Sequence, residues 1–225
     1  MRKQSARGAA FVALLGLMVL SATGPAAWAS GVMTTNPQLP PDTGEYRWPD
    51  GTGGQYVGPG LYVGVTDFTW KPLAATTVRM ADGLDEREDF DSTFTAMVDI
   101  GVGPMSVSVD GPVTVIVLNK VGNTTGTFDA EIVSMSLSGD VPGAGTVMLR
   151  ESPNRNSTGK TTITDLGGGL YHIDSFFDVF TELSVDGGAN WIASSGQSRM
   201  VLVPEPATLA LLALGGLVLV RRRRK

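Results

Sequence analysis

Between residues 61 and 203, apolar side chains recur at alternate positions in short runs, and glycine, proline and small polar residues separate the runs. Leu61, Val63 and Val65 alternate with Tyr62 and Gly64, and Phe68 and Trp70 carry the run to a break at Pro72. A period of two places every second side chain on one face of an extended strand, whereas a helix needs a period near 3.6. The signal returns at 94–102, 105–109, 113–118, 127–137, 147–149, 161–163, 170–177, 179–185 and 200–203, with Gly103-Pro104 and Gly111-Pro112 as dividers. Within 127–137, Phe128, Ala130 and Ile132 share one face, and the apolar parity then switches to Val133, Met135 and Leu137. A one-residue change of parity predicts a bulge or a crossing between sheets. Many short strands with turns every 8–12 residues predict an all-β fold, an antiparallel β-sandwich or jelly roll over 61–203. Residues 30–60, with Pro37, Pro40, Pro41, Pro49 and Pro59, predict an irregular Pro/Gly-rich lead-in. A helical turn is expected only at 81–90.

Both ends of the chain break this pattern. Arg2, Lys3 and Arg7 precede an apolar stretch at 9–20, and Ala27-Trp28-Ala29 supplies a small-x-small site. Together they predict a signal peptide over 1–29, cut by signal peptidase before Ser30, with a retained anchor helix as the alternative. At the other end, Pro204-Glu205-Pro206 is followed by an uncharged apolar run at 207–220 and then by Arg221, Arg222, Arg223, Arg224 and Lys225. As a helix that run would span about 21 Å, short of the roughly 30 Å hydrocarbon core by an amount that long arginine stems can cover. The expectation is a transmembrane helix that holds the protein at the membrane before its tail is processed. Both basic clusters then stay cytoplasmic while everything between them is exported.

The three-part tail resembles the PEP-CTERM sorting signal of Gram-negative and related bacteria. That resemblance implies that Pro204, Glu205 and Pro206 form the recognition element for an exosortase, a membrane-embedded cysteine transpeptidase that processes such tails. The protein would be its substrate. The stretch 175–191 and its continuation to 203 also look like segments found just upstream of such tails, a resemblance that carries no known activity.

Charge changes the picture once the ends are set aside. Of 17 Lys and Arg, three lie in the leader and five in the tail, and of 22 acids only Glu205 lies outside 30–203. The body therefore carries nine cations against 21 acids, a net charge of −12 that repels nucleic acid and anionic lipid. The chain has no cysteine, which removes disulfides, thiol nucleophiles and thiolate metal sites together. No cofactor is expected.

Candidate chemistry in the body is sparse. Ser184-Val185-Asp186-Gly187-Gly188-Ala189-Asn190-Trp191 resembles the Asp-box of sialidases, in which the Asp caps a turn and the Trp packs beneath it. A single copy reads as a structural turn. Asp82, Asp85, Glu86, Glu88, Asp89 and Asp91 crowd one segment, expected to be a solvated acidic loop. Calcium would need six to eight oxygen ligands, and the spacing matches no EF-hand, so no metal ligand is assigned. His172, the only histidine, falls mid-strand and no Gly-x-Ser-x-Gly elbow accompanies it. The reading that follows is a non-enzymatic exported protein of the cell envelope or exopolysaccharide matrix. One alternative is a carbohydrate-binding module using Tyr56, Tyr62, Trp70 and Trp191 as its ring platform. Another is a glycoside hydrolase, which would need two acids facing each other at about 5–10 Å.

Overall fold

The computed structural model describes residues 30–49, 54–58, 61–101, 103–141 and 145–205. The leader 1–29, Pro206 and the run 207–220 with its basic end lie outside those residues. The strands are β1 (Val32–Thr34), β2 (Glu45–Arg47), β3 (Gly54–Gly58), β4 (Leu61–Pro72), β5 (Val78–Asp82), β6 (Asp85–Asp99) and β7 (Pro104–Val117). They continue as β8 (Gly126–Val141), β9 (Gly145–Glu151), β10 (Ser157–Gly167), β11 (Leu170–Val179), β12 (Thr181–Ser184), β13 (Ile192–Ala193) and β14 (Ser198–Val203). One 3-10 turn, Ala74–Thr76, stands between β4 and β5.

These strands form one antiparallel sheet closed into a barrel. Around its wall run β2, β4, β6, β7, β8, β10, β11 and β14, and β14 pairs back onto β2. The eight-stranded barrel replaces the expected sandwich or jelly roll. Alternation and turn spacing are common to both architectures. The difference lies in one long-range pairing, Leu202 with Tyr46 and Val201 with Arg47, and its first partner sits in the segment expected to be irregular. Toward the far end the wall is continued by β3, β9, β12 and β13: β9 lies between β8 and β12, β13 pairs β12, and Tyr56 bridges Ser194. The chain thus makes eight passes, each beside its predecessor, and β1 and β5 lengthen the wall beside β11 and β6. Both described termini leave from one end, called here the terminal end. The strand ends at Gly58, Asp99, Val141 and Ser184 lie at the other, called here the hairpin end.

Closing a sheet requires bends, and the sequence supplies them. A Cβ at Gly111 of β7 would fall on the Ser136 carbonyl, and one at Gly139 of β8 on the Ser108 carbonyl, so these two strands approach each other only as glycines. β7 consequently runs through Gly111-Pro112, expected as a divider, while its ladder to β8 skips both residues. The parity switch in β8 is a bulge: Val115 pairs Ile132 and Thr114 pairs Ser134, leaving Val133 unpaired and exposed while Met135 and Leu137 stay in the core. A second bulge in β4 has Asp67 at φ 53° and moves Phe68 and Trp70 onto the inner face already used by Val63 and Val65.

Residues 81–90 are extended, not helical. They form the β5–β6 hairpin, with Asp82 paired to Asp85. Among the described residues no helix is long and apolar enough to cross a membrane. The transmembrane helix and membrane anchor expected from 204–225 are corrected accordingly: the run assigned to them lies outside the described residues, and anchoring forms no part of the function argued below.

Inside the barrel, the terminal end is filled by aromatic rings. Trp70 lies 4.9 Å from Tyr46, 5.9 Å from Phe177 and 6.3 Å from Phe90, centre to centre. Leu39, buried in the segment between β1 and β2, closes over them, and Arg79 donates to its carbonyl at 2.7 Å.

Candidate functional site

Pro204 and Glu205, the first two residues of the expected sorting motif, follow directly from the barrel wall. Met200, Leu202 and Val203 of β14 are buried, and Val203 still pairs with Glu45. Proline has no N–H to donate, so the ladder stops at Pro204. Glu205 then turns to Lys71 of β4, with Oε1 3.0 Å from Nζ. Both groups are half-exposed, which limits such a pair to about 0–1 kcal/mol. Beside the exit lies an open groove of about 520 Å³ whose polar lining includes Asn36, Gln38, Asp42, Lys71, Arg79 and Glu205. Nothing in the sequence ties Lys71 to Glu205, because the pair exists only through barrel closure.

The first described residues lie against the same exit. Gly31 N–H donates to the Leu202 carbonyl at 2.8 Å. Gly31 has φ +81°, and a Cβ there would meet the Ile173 carbonyl at 2.6 Å. The expected leader cleavage point and the sorting motif are therefore neighbours in space.

The remaining candidates separate into structural roles. In the Asp-box-like turn, Asp186 Oδ1 accepts from Asn190 N–H at 2.9 Å and Oδ2 from the Asn190 side chain at 2.7 Å, while Ser184 Oγ accepts from Gly188 N–H at 2.9 Å. These donors, the Asn190 backbone first, hold the Asp186 carboxyl down at about 2. Trp191 is half-exposed rather than buried beneath the turn. Arg150 covers its ring at 4.0 Å while also gripping Glu182 at 2.7 and 3.0 Å.

The acidic segment is a strand, so its carboxylates cannot converge as a loop's would. Glu86 and Glu88 face one way and Asp85, Asp89 and Asp91 the other. Asp89 is held below the usual carboxylate range by Arg87, which donates twice at 2.9 Å. Asp85 caps the Asn119 N–H at 2.8 Å. Among the described residues no group of three or more His, Asp and Glu is placed to hold a metal ion.

Glu88, expected in a solvated acidic loop, is instead a core residue, and its burial is what the sequence reading missed. It is 2% exposed, one carboxyl oxygen has no hydrogen-bond partner, and burial pushes its pKa well above the usual range, reinforced by Glu86 and opposed by Arg79 and Lys120. The signal was present as alternation of Glu88, Phe90, Ser92, Phe94, Ala96 and Val98, but the neighbouring acids obscured it. Nearby, Tyr46 donates to Ser175 at 3.0 Å, and Ser175 and Thr161 share a bond of 2.8 Å.

His172 is half-buried in mid-strand, paired with Met33 and Thr164. Of the four rings expected for a sugar platform, Tyr56 and Trp70 belong to the core, and Tyr56 is bonded to Thr181 at 2.6 Å. Tyr62 is 53% exposed and Trp191 lies under Arg150, leaving two rings of the four. In the groove, Asp42 accepts from Thr34 at 2.8 Å and Glu205 pairs with Lys71, so each acid is already engaged.

No curated protein and no solved structure matches the chain. One family model does match, over residues 202–225, which places the end of β14, the Glu205 contact and everything after them in the PEP-CTERM protein-sorting motif.

Proposed function

We propose that this is an exported, non-enzymatic protein of the bacterial cell envelope or extracellular matrix, matured by signal peptidase at its leader and by an exosortase at its tail. The observation that carries this reading is the match of residues 202–225 to the sorting motif. The placement of Pro204 and Glu205 outside the last strand supports it, since a processing enzyme must reach them on a folded body. The leader-like 1–29 and the acidic, cysteine-free body are consistent with export. The barrel itself is the cargo.

The test has to separate sorting from folding. Leu202 and Val203 are core residues, so deleting 202–225 is expected to unfold the barrel as well as remove the signal. Substituting Pro204, Glu205 and Pro206 together by alanine should leave the fold intact, because Pro204 and Glu205 lie outside β14 and the Glu205–Lys71 pair is half-exposed. In a host that carries an exosortase, cell fractionation is expected to show loss of the processed form and accumulation of the precursor. An unchanged distribution and mass would remove the sorting role.

A further inference from the structure

The two ends of the barrel interior are filled differently. At the terminal end the rings of Tyr46, Trp70, Phe90 and Phe177 leave a residual space of only about 10 Å³. At the hairpin end the inward positions are taken by smaller aliphatic side chains, among them Val98, Val107, Val141 and Val147, and a cavity of about 160 Å³ remains. Its lining is entirely apolar, completed by residues such as Leu61 and Met105. These two are only partly buried, so among the described residues the cavity reaches the surface through apolar side chains. An apolar cavity of about 150 Å³ stays dry and accepts a molecule the size of benzene. Eight-stranded barrels are just wide enough to be filled by side chains or to hold one small ligand, and barrel mouths are recurrent ligand sites.

We propose that the hairpin end of the barrel is a binding site for one small uncharged hydrocarbon group, of about six to eight carbons on the volume comparison above. The lining side chains provide neither hydrogen-bond donor nor acceptor, so sugars, ions and nucleotides find no side-chain partner there, and burying a hydroxyl among them is unfavourable. The site lies at the opposite end from the sorting motif.

The experiment is a titration of the purified full-length protein with toluene, followed by carbon-13 methyl NMR of valine, leucine and methionine. Saturable shifts confined to valine, leucine and methionine methyls that line the cavity, Leu183 and Val185 included, at a stoichiometry of one, are expected. Phenol, of the same size with a hydroxyl, should bind at least tenfold more weakly. Val147→Phe and, separately, Val98→Met each reduce the free volume and should abolish or weaken the response by tenfold or more. Each variant is accepted only with wild-type spectra away from the cavity, and two are made so that one misfolded protein does not decide the matter. Absence of saturation, shifts spread over methyls at the terminal end, equal affinity for phenol, or undiminished binding by a folded filled variant would each overturn the site.

Discussion

Replacing Trp70 by alanine is expected to cost about 3–5 kcal/mol, the range for emptying a buried aromatic position. For a domain of this size that is a fall of about 6–20 °C in Tm. Trp70 touches three other rings and is 2% exposed, and the remaining interior at that end has no spare side chain to collapse into the gap. Trp70→Phe should cost far less, under about 1.5 kcal/mol, because it keeps most of the volume. It also removes an indole N–H that has no acceptor in the core. Urea denaturation of the two variants beside the wild type measures both values. If Trp70→Ala cost less than about 1 kcal/mol, the ring cluster would not be the keystone of the terminal end.

Glu88→Gln is expected to become more stable than the wild type as pH rises above the ordinary carboxylate range, because the amide cannot ionise in the core. The sign follows from proton counting. The folded pKa lies well above the usual carboxylate value, so between the two values the folded protein holds a proton that the unfolded chain has released. Stability is then fully present below the unfolded pKa and is lost as pH rises toward the folded pKa, by about 1.4 kcal/mol per pH unit. The groups facing Glu88 moderate this slope: Arg79 and Lys120 favour its charge, Glu86 opposes it, and Tyr46, itself pushed up by burial, stays neutral throughout. Glu151 is also raised by burial, and Asp89 and Asp186 are lowered, but they are common to both proteins and cancel in the difference. Urea midpoints of wild type and Glu88→Gln across pH 4 to 8 give the curve. Parallel curves would mean that Glu88 ionises in the folded state as freely as in the unfolded one.

Strands in this chain were readable wherever apolar residues alternate without interruption, and the β8 bulge was readable because a parity switch is itself a pattern. Where polar residues occupy the inner face the reading failed, as in β6, whose first half contains Glu86 and Glu88 between outward acids. Bulges were the other source of error. Counting from Leu61, Val63 and Val65 places Trp70 on the outer face with Tyr62, and only the extra residue at Asp67 turns it inward. That single insertion separates a candidate sugar platform from a core. Barrel closure left no local trace, since Glu45–Arg47 is three residues long and its partner is at the other end of the sequence. The sorting tail was legible because its three parts are contiguous and act through composition, without needing the fold. The ion pair between Glu205 and Lys71 needed it.

The seam between β2 and β14 has a temporal meaning. Each of these strands has its other neighbour elsewhere, β4 for one and β11 for the other, so the wall remains an open sheet until residues 198–203 are present. A chain exported leader first delivers its last wall strand immediately ahead of the sorting motif. Until then its sheet has two unpaired edges, the arrangement most prone to pairing with other chains. On the proposed export route, sealing of this seam therefore coincides with delivery of the whole body, after which only the tail remains to be handled.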